Sequence, residues 1–211
     1  MWYHPAQQFI QERRIDGWLV HDFRSSNPVL AQLLPGDRHL TRRVCLFVPA
    51  RGEPRLLAHH IDASQFSRDP VRVEKYLTWQ EYRAWLADLG AGAGRVAMEY
   101  APGAALPVVS VVDAGTIELV RSSGMEVVSS ADLIQVCVAI WSAEALANHH
   151  KAAALVDQVK NDAFAFIRAE HTAGRDTDEL IVQQRMHAGF KAAGLEWPDG
   201  PIVAVNAHAG D

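Results

Sequence analysis

The sequence is short of cysteine, of net positive charge and of long apolar runs, and each shortage excludes something. Only two cysteines, Cys45 and Cys137, occur in 211 residues, too few for the disulfide framework of a small secreted scaffold. Both sit inside apolar runs and read as reduced core residues rather than nucleophiles. The 20 Lys and Arg are outnumbered by 25 Asp and Glu, giving a net charge of −5. No basic stripe interrupts the pattern, which excludes the electrostatic footprint of a nucleic-acid binder. No segment approaches the ~18 consecutive apolar residues of a membrane helix. The N-terminal residues lack the basic and apolar regions of a secretory signal, so the sequence reads as a cytoplasmic protein without a membrane segment. What is present is a 49% hydrophobic chain with ordinary Gly (14) and Pro (10) content. Such a chain can bury a core, and disordered and low-complexity classes are excluded.

Through about residue 130, short apolar runs alternate with helical periodicity. A helix is expected over Pro5–Arg14 with Phe9 and Ile10 inward, then a buried strand at Trp18–Val20. A short helix follows Asn27-Pro28 and stops at Pro35-Gly36. Val44–Val48 and Arg55–Ala58 read as strands around a Pro49–Pro54 turn, and Val71–Leu77 as a further strand. Thr78 with Glu81 three residues later has capping-box spacing. Trp79, Tyr82, Trp85, Leu86 and Leu89 then form one apolar stripe, and Gly90 is the expected stop. Strands are expected at Arg95–Glu99 and Met125–Val128, with a helix between them in residues 107–123. Alternating strands and helices imply an α/β domain with a partly parallel sheet.

The composition then shifts. Thirteen alanines fall between Ala143 and Ala193, and the pattern becomes helical throughout. Ser142 is the expected N-cap of a long amphipathic helix carrying Ala152, Leu155, Val156, Val159, Ala163, Phe166 and Ile167. Asp176 and Glu179 suggest a second capping box, opening a helix that runs to Gly194. Ile202–Val205 reads as a strand. A domain boundary is expected at residues 138–143, with residues 1–138 as the first domain and 139–211 as the second. A lone strand with two helices leaves backbone groups unpaired, so the second domain reads as incomplete.

Few residues carry a chemical signature. Gly90-Ala-Gly-Ala-Gly94 follows a helix and precedes a strand, the reverse of a phosphate-cradling loop, and reads as a plain connection. The adjacent pairs His59-His60 and His149-His150 do not point together, and no HExxH or Cys/His zinc spacing occurs. Ser25-Ser26 lies beside His21 without a nucleophile elbow, so helix capping is the expected role of these hydroxyls. His39 lies on a polar loop after a helix stop, and Asn206 and His208 lie at the exit of the expected last strand; such positions aim side chains at pockets.

Three phrases in order resemble the creatinase/prolidase/aminopeptidase P group of M24 metallopeptidases. Ile140-Trp-Ser-Ala-Glu-Ala-Leu-Ala-Asn-His-His-Lys-Ala-Ala153 is similar to the family's Lys-x-x-Glu helix with its Ala-Ala pair, Trp141 standing in place of the Lys. Gly174-Arg-Asp-Thr-Asp-Glu-Leu180 is similar to a Gly-x-Thr-Glu-x-Glu-Leu segment. Ile202-Val-Ala-Val-Asn-Ala-His208 resembles the strand that leads into an Asn-Ala-x-x-Pro-His loop. The resemblance implies a creatinase-type N-terminal α/β domain with a mixed sheet, then the linker and opening of an incomplete α+β pita-bread domain. It implies an Xaa-Pro dipeptidase or aminopeptidase in full-length form, with two divalent ions (Mn, Zn or Co) held by two Asp, one His and two Glu. None of those ligands can be assigned here, so this chain alone is expected to be inactive and to hold no metal. Asn206 and His208 become pocket-lining candidates for a proline-containing peptide, and His39 a candidate reaching a neighbouring subunit's site in a homodimer. The alternatives are a non-catalytic binding or oligomerisation module and a metal-independent, creatinase-like amidinohydrolase.

Overall fold

The computed structural model describes residues 2–210. The chain divides after Ile140 into two compact units. The first is a three-layer α/β sandwich. Its elements are α1 (His4–Glu12), β1 (Gly17–Phe23), α2 (Pro28–Leu33), β2 (Arg43–Pro49), β3 (Arg55–His59), β4 (Arg72–Tyr76), α3 (Trp79–Gly92), β5 (Arg95–Met98), α4 (Ala114–Ser122), β6 (Glu126–Ser129) and α5 (Ala131–Cys137). The six strands lie in the order β4-β3-β2-β1-β5-β6. β2 runs antiparallel to both neighbours, and the remaining adjacent pairs are parallel. Five of the six strands therefore end at the same edge of the sheet.

Strand alternation splits the core in two. Trp18 and Val20 of β1 join Val44, Leu46, Leu56 and Ala97 beneath α1, α2 and α5, with Ile10 and Leu133 fully buried. Leu19 joins Cys45, Leu57, Val96 and Met98 beneath α3 and α4, against Tyr82, Leu86 and Ile117. The capping box at α3 is complete, since Thr78 accepts from Glu81 N and Glu81 accepts from Thr78 N. At the edge where most strands begin, side chains read the main chain. Gln7 and Gln11 donate to carbonyls of Pro49, Gly52 and Ala50, and Asp16 accepts from the backbone N–H of Gly94 and Arg95.

Three local expectations need correction in this unit. β1 runs on past Val20 through His21, Asp22 and Phe23. The helix expected within residues 107–123 is α4, started where Asp113 accepts from Thr116 N, with a separate 3-10 turn at Pro107–Val109 ahead of it. α5 follows directly on β6 where no helix was expected; one turn of capping polarity at Ser130-Ala-Asp132 was its only signal. Gly90 does not end α3, which continues to Gly92. A Cβ at Gly90 would lie 2.0 Å from the Ser123 carbonyl oxygen, so glycine there serves a close approach rather than a stop.

The second unit contains α6 (Ala143–Thr172) and α7 (Glu179–Ala192). Ser142 caps α6 through Ala145 N. α7 is capped by Asp178, which accepts from Ile181 N; the expected box from Asp176 to Glu179 does not form. The two helices meet where Gly189 faces Val159, with Ala163, Val182 and Phe190 also buried. Ile202–Val205 is not a strand. Among the described residues this unit holds no strand to pair with it, and Ile202 is left 94% exposed.

Replacing Gly90 with alanine tests the close approach. Helix propensity alone would favour alanine by about 1 kcal/mol, whereas forcing a methyl against fixed backbone costs about 1–3 kcal/mol. The clash is with a main-chain atom, so Gly90→Ala should lower stability in chemical denaturation by up to about 2 kcal/mol net.

Candidate functional site

At the shared strand-end edge, the chain leaves β1 for α2 on one face and leaves β5 for α4 on the other. Such a reversal between adjacent parallel strands opens the crevice where open α/β sheets bind ligands. Polar groups converge there. Glu99, fully buried, accepts from Trp18 Nε1 at 2.7 Å, Asn27 Nδ2 at 2.8 Å and Ser130 Oγ at 3.0 Å. Burial pushes its carboxyl pKa up, while the three donors pull the other way. Asn27 also donates to the His21 carbonyl and caps α2 through Val29 N.

Asp22 shapes the loop beyond β1. Its carboxylate accepts from the backbone N–H of Ser25 and of Asn27, each at 2.8 Å. Arg24 and Ser25 both adopt left-handed backbone, at φ 61 and 58, a conformation that costs non-glycine residues about 1 kcal/mol or more each. The two Asp22 bonds offset that strain. Burial raises the Asp22 pKa. A cavity of about 170 Å³ lies under this loop, lined by Asp22, Ser25, Asn27, Arg38 and Phe66 among others. Arg38 is held there by both carboxylate oxygens of Asp69, at 2.6 and 2.7 Å, and lies over the Phe66 ring.

The opposite face of the same strand end is also polar. His21 is 4% exposed, and its Nε2 has no hydrogen-bond partner among the described residues. Burial pushes the imidazole down to about 4, against the attraction of Asp113 and with the added repulsion of Arg43. Cys45, paired with His21 across β1 and β2, shares a 3.2 Å contact with the Tyr82 hydroxyl. Burial drives the Cys45 thiol up to about 12, so it keeps its proton at neutral pH. The half-buried Cys137 rises to about 11 for the same reason. Neither thiol is an activated nucleophile.

The residues singled out from sequence fall in both units. His39 lies on the loop after α2, its backbone N–H donating to Gln65 Oε1 and its carbonyl accepting from Gln65 Nε2; its ring is exposed. Asn206 and His208 share a 3-10 turn, Asn206 with left-handed φ of 52. His208 Nδ1 lies 2.8 Å from Glu179 Oε1, which also accepts from Val205 N. The bond from His208 holds the Glu179 carboxyl below its usual range. Glu179 is thus the partner of this turn and not the reciprocal capping residue of α7. The turn sits at one end of a groove of about 550 Å³ between α6 and α7, lined by Ala163, Phe164, Ile167, Val182, Met186 and the 202–205 segment. Thr177 also lines it, and its buried hydroxyl has no partner among the described residues. Asn27, rather than Ser25 or Ser26, caps α2; the Ser25 hydroxyl accepts from Leu40 N instead.

Sequence reasoning passed over His21, Asp22 and Glu99, having treated the first two as polar residues outside a strand and the third as a strand terminus. The available signal was the pair of apolar runs Trp18–Val20 and Val96–Met98, each running straight into ionisable residues. Among the described residues, no group of three or more His, Cys, Asp or Glu could hold a metal ion. No described helix is long and apolar enough to cross a membrane.

No family model and no curated protein matches the sequence. Solved structures do match. The dipeptidase PepE from Mycobacterium ulcerans superposes with a TM-score of 0.61 at 18% identity, over 90% of this chain and 48% of that one. The prolidase from Pyrococcus horikoshii OT3 gives 0.55 at 15% identity, over 90% and 48%. The prolidase from Pyrococcus furiosus gives 0.54 at 14% identity, over 90% and 52%. The likeness is one of fold, and the chain spans about half the length of these structures.

Two measurements bear on the strand-end cluster. Truncating Glu99 to alanine leaves Trp18 Nε1, Asn27 Nδ2 and Ser130 Oγ buried without an acceptor, and should cost about 3 kcal/mol or more in urea unfolding. For His21, the unfolded imidazole takes up a proton near pH 6.5 and the folded one only near 4. The unfolded state therefore binds more protons between those values, so His21 lowers stability as the pH falls from 6.5 to 4, by about 3 kcal/mol in all. The stability difference between the wild type and His21→Leu should shift by that amount across the window and be flat above it.

Proposed function

We propose that this chain belongs to a metal-dependent hydrolase of Xaa-Pro peptide bonds, dipeptidase or aminopeptidase in type, whose metal ligands come from sequence other than the residues described. The observation that carries the reading is the match to the M. ulcerans dipeptidase over 90% of the chain. That share exceeds the first unit and takes in part of the helical one. The first unit would then be a creatinase-type N-terminal domain and residues 139–211 the linker and opening of the catalytic domain. The described residues do not fit a two-metal centre, and no catalytic step is assigned to them.

Within this reading Asn206 and His208 line the substrate pocket. The Glu179 carboxylate fixes the turn that presents them, through His208 Nδ1 and Val205 N. The α6–α7 groove and the exposed Ile202 and Val205 give the unit an open apolar side suited to covering by further sheet. His39, whose main chain is clamped by Gln65 while its side chain is exposed, is the candidate in this reading for reaching a neighbouring subunit of a homodimer. The same reading carries Mn, Zn or Co as the metals, a proline-containing peptide as substrate and the cytoplasm as location.

Hydrolysis of Leu-Pro and Gly-Pro with added Mn²⁺ tests this directly. The 211-residue chain alone should show no metal-dependent turnover, whereas the product of a reading frame continuing past Asp211 should hydrolyse both. Turnover by the 211-residue chain would place the catalytic groups here and overturn the assignment. A continuing frame without two Asp, one His and two Glu would sink the peptidase reading in favour of a non-catalytic binding or oligomerisation module.

A further inference from the structure

The outer rim of the strand-end edge carries a cluster of a different kind. Phe23 ends β1 and pairs across the sheet with Arg43, the first residue of β2. The Arg43 guanidinium carbon lies 5.4 Å from the centre of the Phe23 ring and 5.2 Å from that of Trp79, the first residue of α3. Trp79 in turn stacks on the buried Tyr82, ring centres 5.2 Å apart and planes 13° from parallel. The two outer rings are exposed, Phe23 by 44% and Trp79 by 45%, and Leu77 beside them by 60%. Arg24, Arg42 and Arg43 are exposed as well.

None of these three arginines has a carboxylate within salt-bridge distance among the described residues. The nearby acids are committed to other donors. Asp22 accepts from Ser25 N and Asn27 N, Asp62 from Thr41 and Arg42 N, Glu81 from Leu77 N and Thr78 N, and Asp113 from Thr116. Arg42 donates to Thr41 Oγ1, whereas Arg43 presents a guanidinium with no direct carboxylate partner among the described residues, set on an exposed aromatic floor. Arg43 is held in place by its two ring contacts, so little side-chain freedom remains to be lost on binding. Arginine and large aromatic residues together are the composition of interaction hot spots.

We infer that the Phe23–Arg43–Trp79 cluster is a docking surface for an acidic segment of a partner protein, one presenting a carboxylate next to a bulky apolar side chain. A guanidinium supplies the planar fork a carboxylate takes in bidentate fashion. The site is an open surface, so a small anion would gain only a solvent-exposed ion pair, which is weak. A peptide adds burial of the Phe23, Trp79 and Leu77 surfaces. Nucleic acid fits less well, because one ring-held arginine does not make a track for a phosphate backbone. The surface is independent of the hydrolase reading, since it uses neither Asn206, His208 nor His39.

Panning a randomised peptide display library on the full chain tests the inference. The wild type should enrich sequences with Asp or Glu adjacent to Phe, Trp, Leu or Ile. The best of these, made as a synthetic peptide, should bind with an affinity that falls with salt. Arg43→Gln should weaken it at least about tenfold, and changing its acid to the amide should do the same. Tyr76 donates to the Arg43 carbonyl, not to its side chain, so this substitution keeps the main-chain anchor, and circular dichroism checks that the variant stays folded. Arg51→Gln, in the turn at the opposite edge, should bind the peptide unchanged. No acidic enrichment, equal binding by folded Arg43→Gln, or tighter binding of a single-stranded oligonucleotide through the same side chains would each overturn it.

Discussion

The carboxyl group of Glu99 is the point at which the first unit is tied together. It lies beyond the last residue of β5, yet its acceptor oxygens draw in the indole of β1, the amide that caps α2 and the hydroxyl that precedes α5. These four parts of the chain come from positions as far apart as Trp18 and Ser130. A buried carboxyl is costly to desolvate, and the cost is met only if every donor is in place at once. The arrangement is therefore cooperative: β1, β5 and β6 must all be in register for the three bonds to form together. The strand-end edge inherits its shape from that requirement. The Asp22 loop with its left-handed Arg24 and Ser25 follows, because Asn27 is fixed by Glu99 at one end and by Asp22 at the other.

Much of the fold is legible in the sequence because it follows from burial periodicity and capping chemistry. The capping box at Thr78 and Glu81, the Pro49–Pro54 turn and the apolar stripe of α3 are each written in neighbouring residues, and each is found, except that Trp79, the first expected member of the stripe, is exposed. The resemblance drawn from three phrases pointed to a mixed α/β domain, and the mixed sheet is there, in a fold shared with prolidase and dipeptidase structures. The failures have a common cause. Gly90 has the local pattern of a helix stop, but its partner, the Ser123 carbonyl, is 33 positions away, which local pattern cannot show. His21 and Asp22 were placed outside a strand because polar residues in a strand make sense only once Asn27, Ser25 and Glu99 are known to meet them. Asp178, not Asp176, caps α7 because the helix begins at Glu179, whose carboxylate instead meets His208, 29 positions away.

The second unit shows the same limit from the other side. The stripe from Ala152 to Ile167 is helical as its spacing requires, but only Val159 and Ala163 are buried within the unit. Periodicity says that a face is apolar, not what covers it. Ile202–Val205 has the composition of a strand, yet strand formation is a property of a pair, and side-chain bonds from Gln183 and Glu179 hold the segment instead. Of the candidate site, the association of Asn206 with His208 is visible in sequence, whereas the Glu179 contact that orders their turn is not.

The two rims of the sheet will tolerate evolutionary change differently. At the rim where most strands begin, Gln7 and Gln11 bind carbonyls that every residue type supplies, and Asp16 binds N–H groups that every type but proline supplies. The turns there can drift one residue at a time while the contacts persist. At the other rim the partners are side chains: Glu99 with Trp18, Asn27 and Ser130, and Arg43 with Phe23 and Trp79. Those positions can change only in concert, so in a lineage of such chains the first rim would record neutral divergence and the second would record coupled substitutions.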